Sequence, residues 1–149
     1  MERPVSSCEL RAVKYLAEVI GAESKQAPTL SSDCDLRGRL DISFVSFGSH
    51  LSNYKTKDAI ENEGNHLLSF ERGKFLSKKS GRVVLHLEPG FDYGLILKLH
   101  PIQFPERVWF VCAGIGEWGT SGAAWYLAHK WAEIYHYAKQ KPFAIIVAG

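Results

Sequence analysis

Apolar residues change rhythm several times along this chain, and each change marks an element. From about Ser7 to Ala22, Leu10, Val13, Leu16, Ala17 and Ile20 recur at spacings of three and four, the stripe of an amphipathic helix. Ser6 and Ser7 can cap its start, Glu9 suits the positive end of the helix dipole, and Gly21 can supply a left-handed stop. Gln26 to Arg39 reads as a loop, with one short strand near Thr29 to Leu30. Ile42 to Phe47 carries the β-branched and aromatic residues of a strand. Gly48-Ser49-His50-Leu51-Ser52-Asn53 then reads as a turn of small polar residues. A short helix from about Tyr54 to Glu63, ending at Gly64 or Asn65, completes the opening of a βα unit.

The middle of the chain predicts antiparallel hairpins. Leu67 to Leu76, Arg82 to Leu87 and Leu95 to Leu99 are short strand patterns, separated by turn signals at residues 77–81 and 88–90. His100-Pro101 to Pro105-Glu106 is a further break, since a residue before proline disfavours helix. The last third is the most regular. Val108 to Ala113 is a continuous apolar run, as for a strand covered on both faces. Residues 114–119 are glycine-rich. A helix from about Thr120 to Gln140 follows, with Ala124, Leu127, Ala128, Trp131, Ile134, Tyr135 and Ala138 on one face. Pro142 stops it, and Phe143 to Ala148 forms another apolar strand.

Strand, glycine loop, helix and strand in that order predict a βαβ unit whose two strands pair in parallel through a right-handed crossover. The fold class expected is therefore α/β, a Rossmann-like three-layer sandwich. Its mixed sheet would have a parallel C-terminal βαβ and antiparallel hairpins in the middle. The 149 residues suit one such domain, residues 1–149. Hydrophobic residues at 46% and charged residues at 23% match a globular composition, which excludes a disordered tail or a fibrous repeat. No apolar run approaches the roughly 20 residues of a membrane-spanning helix, and no secretory leader pattern opens the chain. A cytoplasmic domain without membrane contact is expected.

Charge and cysteine content narrow the chemistry. A net charge of +2 makes nucleic acid an unlikely partner. The local excess lies between Lys55 and Arg82, seven Lys or Arg against four Asp or Glu. It is either a solvated hairpin tip or a contact for an anion. Cys8, Cys34 and Cys112 are an odd, widely spaced set without zinc-ligand spacing. The six histidines form no ligand pair either, so no metal and no cofactor are expected.

Gly114-Ile115-Gly116-Glu117-Trp118-Gly119 matches G-x-G-x-x-G with a strand before it and a helix after. Glycines let a backbone approach an anion closely, and amides at a helix start point toward it. Thr120 and Ser121 add hydroxyls where a phosphate would rest, and Trp118 could stack as a lid. Gly48, Ser49, Ser52 and Asn53 form a second small-residue loop. If their strand neighbours Val108 to Ala113, both loops open into one crevice. Asn53 or Ser52 could equally be a helix cap. No acidic residue follows Phe143 to Ala148 to bind a ribose, which argues against an NAD-dependent dehydrogenase.

The run from Val108 to Ala123 resembles the phosphate loops of Rossmann-like nucleotide binders. It is also similar to the Gly-Gly-x-Gly-Thr loops of nucleotide phosphate–ribose hydrolases of the cytokinin-activating type. Gly122 and Ala123 stand where those hydrolases carry a glutamate. The first resemblance implies binding or sensing of a nucleotide-like, phosphate-bearing small molecule. The second implies an N-glycosidase or NAD-nucleosidase activity, for which Glu117 and Asp92 are the candidate carboxylates. Asp92 could otherwise bind ribose hydroxyls or close a turn, with Tyr93 stacking on a base. A third reading is a protein-interaction module whose glycine loop is purely structural. A homo-oligomer or a partner domain remains open in all three.

Overall fold

Tyr93–Leu99 is the strand around which the chain is built, because every one of its residues is buried. Alternation sends Leu95, Leu97 and Leu99 to one face and Ile96 and Lys98 to the other. A strand apolar on both faces belongs at a sheet centre. The computed structural model, which describes Lys14, residues 31–49, Leu51, residues 53–71 and residues 73–149, places it there. Apart from Lys14, the helix expected at Ser7 to Ala22 lies outside the described residues, as does the strand near Thr29 to Leu30.

Among the described residues seven strands form two sheets. In chain order the elements are β1 (Phe44–Phe47), α1 (Tyr54–Glu61), β2 (Leu68–Glu71), β3 (Lys74–Ser77) and β4 (Val83–His86). There follow β5 (Tyr93–Leu99), β6 (Trp109–Gly114), α2 (Glu117–His129), α3 (Trp131–Ala138) and β7 (Phe143–Ala148). The larger sheet has the order β1-β6-β5-β7, and the smaller is the meander β2-β3-β4.

The Rossmann-like sandwich is thereby corrected. β6 and β7 were expected to pair in parallel, but β5 lies between them and runs antiparallel to both. The only parallel ladder among the described residues joins β1 to β6. The competing preference is burial: β5 is apolar on both faces, so it takes the inner position that the βαβ prediction reserved for β7. The described residues form a strand-rich pair of small sheets with three short helices after β1, not a stack of parallel βαβ units.

Two further expectations change. The run Leu67 to Leu76 is a hairpin, reversing at Gly73, whose φ of +77° suits glycine. The long helix expected at Thr120 to Gln140 begins earlier, at Glu117, and breaks at Lys130 into α2 and α3. The break lets Trp131 meet Phe110 edge-on, with ring centroids 6.0 Å apart.

Each face of the larger sheet carries its own core. Leu95, Leu97, Leu99, Trp109 and Val111 pack against Ala59 of α1 and against Leu68 and Phe75 of the smaller sheet. On the opposite face Ile96 and Cys112 pack under Ala123, Ala124, Leu127 and Ile134. Trp109 is fully buried, and its indole N–H donates to the Ile42 carbonyl at 2.8 Å.

Candidate functional site

Parallel pairing of β1 with β6 in the register Phe47↔Cys112 fixes where the two small-residue loops lie. Both leave neighbouring strands at the same end. At this end the Gly48 amide donates to the Cys112 carbonyl at 3.0 Å. The third contributor is Asp92, just before β5. Its backbone exchanges two hydrogen bonds with Gly149, at 2.9 and 3.0 Å.

Asp92 decides the character of the glycine loop. Its Oδ1 accepts from the amide of Gly116 at 2.9 Å and from that of Tyr93 at 2.8 Å. Its Oδ2 accepts from the amide of Gly119 at 3.0 Å. The amides at the start of α2 therefore already hold an anion, and that anion is a side chain of the same molecule. A carboxylate there satisfies helix-start donors and complements the helix dipole.

Close packing accounts for the glycines themselves. A Cβ on Gly119 would lie 2.2 Å from the Tyr93 carbonyl oxygen, and one on Gly114 would lie 2.3 Å from the Thr120 nitrogen. A Cβ on Gly116 would meet the Asp92 carboxylate at 2.7 Å. The motif thus brings the first turn of α2 down onto the ends of β5 and β6.

Several of the other residues expected at this site are buried or have structural partners, while Trp118 is partly exposed. Thr120 and Ser121 are buried, and the Ser121 hydroxyl donates back to the Trp118 carbonyl at 3.1 Å. The Trp118 ring lies over Gly122 and Gly149, where added Cβ atoms would approach within 2.7 and 2.6 Å. Asn53 caps α1: its Oδ1 accepts from the amides of Lys55 and Thr56, and its Nδ2 donates to the Phe47 carbonyl. The Ser49 carbonyl accepts from the Asn53 amide at 2.9 Å, and the Gly48 carbonyl accepts from the Thr56 hydroxyl at 3.0 Å. Tyr93 is buried, its hydroxyl accepting from the Glu88 amide at 3.1 Å, so it is not placed to stack on a base. Ser52 and the side chain of Glu117 lie outside the described residues.

Comparison with protein-family models, curated proteins and solved structures finds no significant match for this chain. The reading of the site therefore rests on its geometry. That geometry corrects the expectation of a Rossmann-like fold: the sheet order is not of that class, and Asp92 sits at the amides a phosphate would use. Both oxygens of Asp92 accept backbone hydrogen bonds, so this carboxylate serves as a clasp.

Charged residues that sequence reasoning passed over are buried elsewhere. Lys55 is almost wholly covered; its ammonium donates to the Arg39 carbonyl and pairs with Asp58 at 3.1 Å. Lys98 is buried with its ammonium 5.9 Å from the Phe110 ring centre, and burial lowers its pKa. The signal for Lys98 was legible, a single cation within Leu95-Ile96-Leu97-Lys98-Leu99. Burial pushes the Cys112 thiol up to about 12, which removes it as a nucleophile. No cluster of His, Cys, Asp and Glu suited to a metal ion occurs among the described residues. No helix among them is long and apolar enough to cross a membrane.

Proposed function

We propose that the chain is a cytoplasmic protein-interaction module in which the glycine loop is a structural element. The observation that carries this reading is the Asp92 carboxylate on the amides of Gly116 and Gly119. A loop that holds its own anion joins β5, β6 and α2, and an incoming phosphate would first have to displace it. Large apolar side chains stand exposed around the same end, Leu51, Phe91, Ile115 and Trp118. Apolar groups gathered at a surface suit contact with another macromolecule. Cytoplasmic placement is supported by Cys34, a free and exposed thiol, since such thiols persist in reducing compartments.

The test follows the Gly116 and Gly119 amide resonances of the full chain during titration with inorganic phosphate and with AMP. Unchanged resonances and an unchanged melting temperature at millimolar ligand are expected. A bound ligand at a hundredfold excess over its Kd would add about 2.7 kcal/mol of stability. Saturable shifts at these two amides would overturn the reading.

A further inference from the structure

Resting on the interaction-module reading, we propose that strand β7 and the groove beside it take up an extended segment of a partner protein by strand addition. The segment carries apolar residues at alternate positions and acidic residues at its ends.

β7 is an edge strand, paired with β5 alone among the described residues. Natural edges are usually protected by a charge, a proline or a bulge. Phe143-Ala144-Ile145-Ile146-Val147-Ala148 has no charge and no proline, and its ladder to β5 runs without a register shift. The smaller sheet packs beneath the same face and reaches β7. Between them lies an open apolar groove of about 280 Å³, lined by Leu67, Leu68, Val84, Ala144 and Ile146. A strand laid along β7 would bond to the backbone edge that no described strand occupies and point alternate side chains onto that floor.

Charge selects the occupant. β4 is entered from a turn carrying Lys79 and Arg82, and β7 from a turn carrying Lys139 and Lys141. All four are exposed, and none has an ion-pair partner among the described residues. Lys78 turns away to the Ile60 carbonyl, where Glu61 is the facing acid. At the far end of the β2–β3 hairpin, Glu71 is paired with Lys74 at 3.7 Å. Four exposed cations at the entries of β4 and β7 favour an acidic segment as the occupant over a neutral or basic one.

The experiment uses the full chain, isotope-labelled, and a capped peptide with valines at alternate positions and glutamates at both ends. The expected result is saturable shifts at the amides of residues 143–148, with new protection from hydrogen exchange. The same peptide with lysines for glutamates should bind at least ten-fold more weakly. Val84→Glu and Lys141→Glu, both at exposed positions, should each weaken binding at least ten-fold while leaving the melting temperature unchanged.

The assignment is overturned by no binding at millimolar peptide, or by shifts confined to another surface. It is equally overturned if the outer β7 amides are already protected in the free monomer, or if sedimentation shows a dimer that the peptide does not disperse. Gly116 and Gly119 report in the same spectra. Failure at β7 with those two amides silent to phosphate overturns this surface alone, whereas a phosphate response there overturns the module reading itself.

Discussion

The Asp92 carboxylate and the Gly119 amide are 3.0 Å apart, although 27 positions separate them in the chain. This bond ties the entry of β5 to the first turn of α2. Two substitutions dissect it. Asp92→Asn keeps one acceptor oxygen but turns an amide N–H toward a backbone donor, so about 1–3 kcal/mol of stability should be lost. Gly119→Ala drives a Cβ to 2.2 Å from the Tyr93 carbonyl oxygen and 2.7 Å from the Gly114 Cα. Both neighbours are backbone, so a loss of about 3 kcal/mol is expected. Urea unfolding measures both; an unchanged midpoint for Gly119→Ala would contradict the close packing described.

Asn53 gives the matching prediction for the first loop. Its side chain accepts from two amides of α1 and donates to the Phe47 carbonyl, so it holds β1 and α1 together. Asn53→Ala should cost about 2 kcal/mol, the upper part of the range for helix caps. Leu51→Ala, at an exposed position, should stay within about 0.5 kcal/mol. Parallel denaturation of the two variants separates a structural loop from an indifferent one.

Local signals in the chain were enough to find most strands and both small-residue loops, because turn residues and apolar runs act over a few positions. Pairing partners were not legible. Whether β7 joins β6 or β5 depends on which strand is buried on both faces, a property of the assembled sheets that the short run Leu95 to Leu99 does not reveal locally. The role of Asp92 was hidden for the same reason. Its partners Gly116 and Gly119 are distant in sequence, and an Asp after Pro89-Gly90 reads locally as turn chemistry. Asn53 as a cap, by contrast, needed only the residues beside it.

Lys98 predicts a stability change of defined sign. Burial lowers its pKa, so the folded state binds its proton less firmly than the unfolded chain does. Stability from this group therefore rises with pH through the alkaline range, up to the ordinary lysine value. Lys98→Met retains the apolar stem beside Phe110 and removes the charge. It should raise stability at neutral pH and abolish this part of the pH dependence. Thermal unfolding across pH 8 to about 10.5 reads both effects; a destabilised variant would show that the ammonium has a partner the aromatic contact does not reveal.

Cys112 acts in the opposite direction over a window that opens at 9.0 and so overlaps that of Lys98. Its thiol is fully buried and pushed up to about 12 from an ordinary value of 9.0. Below the ordinary value neither state is ionised and the full stability is present. Between the two values the unfolded chain releases this proton while the folded chain keeps it. Stability from this group accordingly falls by about 1.4 kcal/mol for each pH unit through that window. Cys112→Ala removes the slope, at a cost of about 1 kcal/mol for the vacated volume. Thiol labelling supplies the independent check. Near neutral pH, Cys34 is exposed and should react at once, while Cys112 should react only as fast as the chain unfolds. Equal labelling of the two positions in the native protein, mapped by peptide mass, would show that the sheet opens at β6 far more readily than its buried register implies.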